Sequence, residues 1–203
     1  MRNSALLLTS TQNDLLHPSG GAWSLVAATV TRHSVVRHLT ELLGAARAAG
    51  MPVFHSPVAI DYSAVPAGAE PSSAIQSVIL QHRLLAAESF GAAFLEKLAP
   101  AKTEIVLPPR QGFSSFWSNN IDALLKERNV RKLYVAGMLA HACVESHVRD
   151  AAEHGYQPVV IRDAVGAVSE ELQAAALSVL GFHAWEVIDT AQALARFRAT
   201  DMG

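Results

Sequence analysis

The stretch that decides the fold of this chain is Leu133-Tyr134-Val135-Ala136-Gly137-Met138-Leu139-Ala140-His141-Ala142-Cys143-Val144-Glu145-Ser146. Its first four residues are apolar and predict a buried strand, Gly137 predicts a turn, and the residues from Cys143 onward predict a helix. In open α/β sheets, ligands bind at the carboxyl ends of the strands. Cys143 therefore stands where a residue that contacts a ligand would be expected.

The rest of the chain repeats this pattern of short apolar runs and amphipathic segments of helix length. Such alternation is typical of a mostly parallel sheet covered by helices. Residues 61–81, rich in Ser, Ala and Pro, are predicted to form a long excursion, and Gly50 and Gly181 are predicted to end helices. One α/β domain over residues 1–203 follows. Its predicted strands are 5–8, 52–55, 104–107, 132–136, 157–161 and 184–187, and its predicted helices are 35–46, 119–128, 143–154, 170–180 and 190–198.

Composition and charge exclude several classes of protein. The chain has 203 residues, of which 50% are hydrophobic, with 16 basic and 18 acidic residues and a net charge of −2. This balance lacks the basic surface that follows a phosphate backbone, so no nucleic-acid partner is expected. A single cysteine allows neither an internal disulfide nor a multi-cysteine zinc cluster.

No segment has the pattern of a membrane span or an export signal. A spanning helix needs about 18 consecutive apolar residues, and no run here is that long. Arg2 precedes only the short apolar run 5–8, which is shorter than the centre of a signal peptide. We therefore expect a cytoplasmic protein that acts on a small molecule, without membrane contact and without a cofactor.

Cys143 has two interpretations at this stage. In the first turn of a helix, the positive end of the helix dipole favours the thiolate, which is the nucleophilic form of cysteine. A lone cysteine can equally be a small buried hydrophobic residue. Its position alone leaves both interpretations open.

Three separated motifs follow predicted strands. They are Thr11-Gln12-Asn13-Asp14; Ser114-Ser115-Phe116; and, within residues 137–164, Cys143-Val144-Glu145-Ser146 with Arg149-Asp150-Ala151, Gly155-Tyr156 and Arg162-Asp163-Ala164. In this order and over nearly the whole chain they resemble the isochorismatase-like cysteine hydrolase family. The resemblance implies a three-layer α/β/α fold with a six-stranded, mostly parallel sheet.

The resemblance also implies a chemistry that uses an Asp, a Lys and a Cys. In this family of nicotinamidases, carbamoyl-amide hydrolases and isochorismatases, the Asp takes the thiol proton, and the Cys attacks an amide carbonyl to form a thioester that water hydrolyses. By the same resemblance, the backbone N–H groups of Leu139 and Cys143 form an oxyanion hole, and the peptide bond between Met138 and Leu139 is cis. Cys143 is then the expected nucleophile.

The sequence departs from this pattern at two of the three catalytic positions. The family's Asp falls on Ser10, whose hydroxyl cannot act as a base near neutral pH. The family's Lys falls on Arg110, which keeps the positive charge but does not release a proton at physiological pH. Only Cys143 is retained.

Two histidines near Cys143 are candidates for a substitute base. His141 lies two residues before the cysteine, and His147 lies one helical turn after it on the same helix face. An unperturbed imidazole suits thiol deprotonation. The alternative is that His147 packs beneath the helix and that His141 hydrogen-bonds within its turn. A further candidate, Asp14, more often holds its own loop by accepting backbone hydrogen bonds.

The substrate pocket is predicted to be lined by Gln12, Phe113, Phe116 and Trp117, the three aromatic residues lying beside Arg110 in the sequence. Core packing is the alternative for the aromatic residues. His55 ends the second predicted strand, near the position where nicotinamidases bind a metal. No Asp and second His accompany it in the sequence, so no metal site is predicted.

Three functions stay open from the sequence. The first is a hydrolase of a small-molecule C–N bond, amide or ureide-like, through Cys143 with Arg110 and Ser10 in the site. The second is a catalytically impaired relative, a pseudoenzyme, that binds a small molecule or serves in assembly. The third is an isochorismatase-type vinyl-ether hydrolase, which requires the carboxylate that Ser10 replaces. The resemblance further implies assembly into a homo-oligomer, a dimer or larger.

Overall fold

Six strands form a single parallel sheet in the computed structural model, which describes residues 3–66 and 68–199. The strand order is β3-β2-β1-β4-β5-β6, and every pairing is parallel, which confirms the expected six-stranded, mostly parallel sheet. The domain predicted over residues 1–203 includes residues 1, 2, 67 and 200–203, which lie outside the described part. The strands are β1 (Ser4–Thr9), β2 (Val53–Ser56), β3 (Ile105–Val106), β4 (Lys132–Met138), β5 (Gln157–Gly166) and β6 (Glu186–Ile188).

Helices connect and cover these strands. In the described residues a 3₁₀ turn, Glu96–Leu98, and a π-helical turn, Ala140–Val144, interrupt the α-helical pattern. The α-helices are α1 (Asn13–Leu16), α2 (Trp23–Arg32), α3 (Val35–Ala48), α4 (Ala74–Gln81), α5 (Ser115–Ser118), α6 (Ile121–Glu127), α7 (Glu145–Glu153), α8 (Glu170–His183) and α9 (Thr190–Arg198).

Alternation along β1 explains the three layers. Leu6 and Leu8 point into one apolar cluster with α2, α3 and α9, while Ala5 and Leu7 point into a second cluster with α6, α7 and α8. Because side chains of a strand alternate between faces, a strand that is apolar at every position is buried on both sides. All six residues of β1 are buried, as expected for a strand in the middle of the sheet.

The structure differs from the sequence expectations at several helices, and α2 (Trp23–Arg32) lies in a segment for which no helix is predicted. Within the predicted excursion 61–81, α4 forms over Ala74–Gln81, where the Ser73 side chain accepts the Gln76 N–H as an N-cap. None of its residues is fully buried, but Ile75, Val78 and Ile79, at three- and four-residue spacing, pack against the first core cluster. α8 continues through Gly181 to His183 because the glycine keeps helical torsion angles. A glycine inside a helix is destabilising by about 1 kcal/mol, which tertiary packing can offset.

One glycine positions the site that follows. Thr9 pairs in register with Gly137 at the carboxyl end of the β1–β4 pairing. Gly137 has φ +122°, and a Cβ atom there would overlap the carbonyl group of Thr9. Only glycine meets both requirements, so Gly137 brings the carboxyl ends of these two central strands together.

Candidate active site

The carboxyl ends of three central strands lie side by side. Thr9, at the end of β1, pairs with Ser56 of β2 on one side and with Gly137 of β4 on the other. Beyond these ends follow Ser10 and the peptide bond between Met138 and Leu139, which is cis. Ligands bind at this edge of parallel α/β sheets, so these residues outline a candidate active site.

Cys143 lies in a π-helical turn that leads into α7. The sequence suggested an α-helix starting at Cys143, but the helical turn begins at Ala140, and α7 itself starts at Glu145. The carbonyl of Leu139 accepts the N–H groups of Ala142 and Val144, both at 3.1 Å, and the second of these bonds widens the turn. The thiol is free and nearly buried. Cys143 lies in the first turn of the helical segment that begins at Ala140, which is the part of a helix where the sequence places it.

Arg110 enters the site from the loop after β3 and is 1% exposed. Its Nη2 donates to Thr9 Oγ1 and to Ser10 Oγ, both at 2.7 Å, and its Nε donates to Ser56 Oγ at 3.0 Å. Its Nη1 donates to the Gly112 carbonyl at 2.9 Å. The guanidinium group has donors that point in several directions and therefore joins the ends of β1 and β2. The single ammonium of a lysine could not reach both in this way.

Ser10 occupies the place where a carboxylate was expected from the family pattern. Its backbone is left-handed, with φ +52°, and the residue is 1% exposed. Its hydroxyl oxygen accepts from the Arg110 guanidinium. An oxygen that accepts from a cation is a poorer proton acceptor than a free hydroxyl, so Ser10 does not supply a base.

Asp14 does not replace the missing carboxylate. One carboxylate oxygen accepts the Gly21 N–H at 2.8 Å and the other accepts the Leu85 N–H at 2.5 Å. The expectation that Asp14 holds its loop through backbone hydrogen bonds is thus confirmed. These bonds also tie the loop after β1 to the segment that follows α4.

His147 is fully buried beneath the site, and both of its ring nitrogens are engaged. Nδ1 lies 2.7 Å from the Cys143 carbonyl and Nε2 accepts the Ser115 N–H at 3.0 Å. Burial, with the positive charge of Arg110 as a second cause, lowers the His147 pKa to about 3. The ring is therefore neutral at pH 7. These bonds place it as a brace between α7 and α5, the packing alternative considered for it.

Of the two histidines considered as a base, His141 is the one with an unused ring nitrogen. It is half-buried in the π-helical turn, and its Nδ1 is buried without a hydrogen-bond partner in the described residues. Burial lowers its pKa, and the nearby carboxylate of Glu145 opposes this effect. A neutral imidazole with a free lone pair can accept a proton.

Two serines connect these groups: Ser115 of the Ser114-Ser115-Phe116 motif, and Ser56, which the sequence analysis did not single out. Ser56 Oγ lies 3.0 Å from Arg110 Nε, 2.6 Å from Ser115 Oγ and 3.3 Å from His147 Nε2. A continuous path of hydrogen bonds therefore runs from Ser10 through Arg110, Ser56 and His147 to the Cys143 carbonyl. Ser56 is polar at the carboxyl end of a buried strand, which is the signal that could have identified it.

The structure does not bring the four predicted pocket residues together. Gln12 is buried, with Nε2 donating to the carbonyls of Val58 and Ala92 and Oε1 accepting the Val58 N–H, so its polar atoms brace loops. Phe116 packs in the second core cluster against the rings of His154 and Tyr156, while Phe113 packs on the first cluster. Trp117 is 84% exposed. Their side chains follow the two faces of the sheet, which sequence proximity to Arg110 does not reveal.

His55 belongs to a separate buried network. Its Nε2 lies 2.9 Å from Glu104 Oε2, and Arg47 Nε donates to Glu104 Oε1 at 2.6 Å. Burial lowers the pKa of His55. Within residues 3–66 and 68–199, no group of three or more His, Cys, Asp or Glu side chains is arranged to hold a metal ion. Glu104 lies far from His55 in the sequence, so only the pairing of β2 with β3 reveals this contact.

The described helices include none that is long and apolar enough to cross a membrane. A cysteine hydrolase from Pseudomonas syringae pv. phaseolicola 1448A is similar in structure, with a TM-score of 0.84 and 21% identity over 98% of this chain and 93% of that chain. An isochorismatase family protein from Desulfovibrio vulgaris subsp. vulgaris str. Hildenborough has a TM-score of 0.78 and 29% identity over 98% and 100% of the two chains.

N-carbamoylsarcosine amidase from Thermoplasma acidophilum shares the fold with a TM-score of 0.69 and 20% identity, over 93% of this chain and 96% of that chain. These structural similarities agree with the parallel sheet and the covering helices described above. The isochorismatase domain family model matches residues 4–192, nearly the whole chain. This chain therefore belongs to the isochorismatase family.

Proposed function

We propose that this protein hydrolyses a small-molecule C–N bond, in an amide or ureide-like compound, with Cys143 as the nucleophile. The observation that carries the proposal is the placement of the lone thiol. Cys143 stands in the helical turn directly after the cis peptide bond, at the carboxyl ends of the central strands. Relatives of similar structure include a cysteine hydrolase and an N-carbamoylsarcosine amidase, which supports this bond type.

The proposed reaction has two halves. The Cys143 thiol loses its proton to a base, and the sulfur attacks the carbonyl carbon while the carbonyl oxygen is held by the N–H groups of Leu139 and Cys143. The C–N bond breaks as the base returns the proton to the nitrogen, which leaves as an amine or ammonia. Water, deprotonated by the same base, then attacks the thioester, and the carboxylic product leaves as the thiol is restored.

We assign the base to His141. Ser10 carries no carboxylate, and both nitrogens of His147 are already hydrogen-bonded. His141 Nδ1 belongs to the same turn as the thiol and is without a partner in the described residues, the thiol included, so the proposal requires the imidazole to turn toward Cys143 when substrate binds. A positioned general base contributes about 10²–10⁴-fold to the rate, so His141→Ala should lose activity in that range.

Release of ammonia or amine from a panel of small amides and ureides tests the proposal. The wild-type protein should turn over at least one compound, and Cys143→Ser should lose most of that activity while keeping its circular dichroism spectrum. His147→Gln separates the two histidines: it removes the brace on the Cys143 carbonyl but not the proposed base, so it should lose less activity than His141→Ala. Full activity in Cys143→Ala would remove the thioester mechanism.

A second candidate is a ligand-binding or assembly protein without catalysis. The observation that favours it is the Ser10 hydroxyl, which accepts from Arg110 in place of a carboxylate facing the thiol. This function predicts that ligands raise the melting temperature of the protein and that no panel compound is cleaved. Homo-oligomer assembly stays a prediction, which light scattering of the purified protein would test.

A further inference from the structure

Arg110 is a buried cation without an anionic partner among residues 3–66 and 68–199. It is 1% exposed, and each of its hydrogen-bond acceptors is a neutral oxygen, from the hydroxyls of Thr9, Ser10 and Ser56 and the carbonyls of Ser56 and Gly112. In the part of the chain that the structure describes, no carboxylate forms an ion pair with it. Buried charges in proteins are normally paired or bind an ion, because an isolated charge is costly to remove from water.

The surplus charge follows from the residues that line the site. The family pattern sets a carboxylate near this cation, and here Ser10 stands at that position while Arg110 keeps the positive charge. His147 contributes no compensating charge, since its ring is neutral and the positive charge of Arg110 helps to lower its pKa. The site therefore has one positive charge more than an Asp–Lys arrangement would have.

Hydroxyl donors accompany this charge. Ser10 Oγ accepts from Arg110, and its own hydrogen has no acceptor among the described residues. Thr9 Oγ1 likewise accepts from Arg110, and its own hydrogen has no acceptor among the described residues either. A cation with adjacent hydroxyl groups that still have hydrogens to donate is a chemically suitable environment for an oxyanion.

We propose that the site binds a small carboxylate as the counter-ion of Arg110, with the Ser10 hydroxyl between the guanidinium and the ligand. Resting on the proposed function, this assigns the substrate class: an amide or ureide that also carries a carboxylate group. The bound anion supplies the charge that the family's Asp would have supplied. Neutral amides of the same size lack this charge and bind more weakly.

The first test compares propionate with propionamide, which have nearly the same shape and differ in charge. Their affinities for the wild-type protein are measured by isothermal titration calorimetry. Propionate should bind and propionamide should bind at least 10-fold more weakly. Equal binding of the two compounds, or no binding of propionate, would overturn the proposal.

The second test introduces a carboxylate side chain into the protein as a counter-ion for Arg110. Ser10→Asp places a carboxylate beside Arg110, and Asp tolerates the left-handed backbone of this position. A unit charge about 5 Å from a bound carboxylate, at an effective dielectric constant of about 20, should weaken propionate binding on the order of 100-fold. Ser10→Asn is the matched control of the same size without the charge. It also loses the Ser10 hydroxyl, so it should bind propionate more weakly than the wild-type protein but clearly more tightly than Ser10→Asp. Equal affinity in both variants would contradict the proposal.

Turnover separates this proposal from the proposed function. Succinamate carries a carboxylate and an amide, while succinamide carries two amides and no charge. If propionate binding follows the pattern above and neither compound is cleaved, the anion site stands and the hydrolase function fails. If both are cleaved through Cys143 at equal kcat/KM and propionate does not bind, the hydrolase stands and the anion site is refuted.

Discussion

Replacement of Gly137 by alanine tests the geometry on which the site depends. The residue has φ +122°, and an added Cβ atom would overlap the Thr9 carbonyl. A non-glycine residue in such a conformation costs about 1–3 kcal/mol, and overpacking against backbone costs a further 1–3 kcal/mol. We therefore expect Gly137→Ala to lower the free energy of unfolding by about 4 kcal/mol. With a urea m-value of about 2.5 kcal/mol/M, the unfolding midpoint falls by about 1.6 M.

Gly44→Ala is the matched control for this experiment. Gly44 lies inside α3, and a Cβ atom there would meet nothing within 4 Å. Alanine is the better helix former, so this variant should gain about 0.5–1 kcal/mol. Urea unfolding followed by circular dichroism measures both variants. A Gly137→Ala protein within 1 kcal/mol of wild type would refute the close approach of β1 and β4.

Three further predictions concern buried polar groups. Asp14→Ala removes the acceptor of two backbone N–H groups and should cost about 3 kcal/mol in urea unfolding. Burial alone would raise the pKa of Glu104, but hydrogen bonds led by that from Arg47 lower it to about 2. This folded-state pKa is below the ordinary 4.5, so the free energy of unfolding should fall by about 3 kcal/mol as the pH drops from about 5 to 2. Glu104→Gln should flatten that part of the pH profile of stability. Burial lowers the His147 pKa to about 3, so between pH 6.5 and 3 the imidazole binds a proton only in the unfolded chain. The free energy of unfolding should therefore fall as the pH drops through this range, and it should fall less steeply in His147→Gln. Unchanged pH profiles in the two variants would contradict these assignments.

The alternation of apolar runs and amphipathic segments was enough to predict the sheet, because burial on both faces leaves a strong local signal. The helix Thr190–Arg198 agrees with its predicted bounds for a local reason as well. Asp189 and Gln192 form a capping box at its start, which is readable from neighbouring residues. Cys143 could be located because a strand, a glycine and a helix surround it in the sequence.

The contacts around the site could not be predicted in the same way. Arg110 contacts Ser10 and Ser56 only because the loop after β3 meets the carboxyl ends of β1 and β2 at one edge of the sheet, and no local period in the sequence indicates that contact. Gln12 and Phe116 were predicted in the pocket from their motifs, but side-chain direction depends on the tertiary packing. The sequence alone indicates the positive charge of Arg110. Only the structure shows that no carboxylate among the described residues forms an ion pair with it.

The rate at which iodoacetamide alkylates Cys143, followed by mass spectrometry from pH 5 to 9, tests the central claim most directly. The chain has one cysteine, so the modified position is unambiguous, and the urea-unfolded protein provides the reference rate. An activated nucleophile should react faster in the folded protein than in the unfolded one at pH 6–7, and His141→Ala should lower the folded rate. A thiol that reacts more slowly when folded over the whole pH range would contradict the role of Cys143 as the nucleophile.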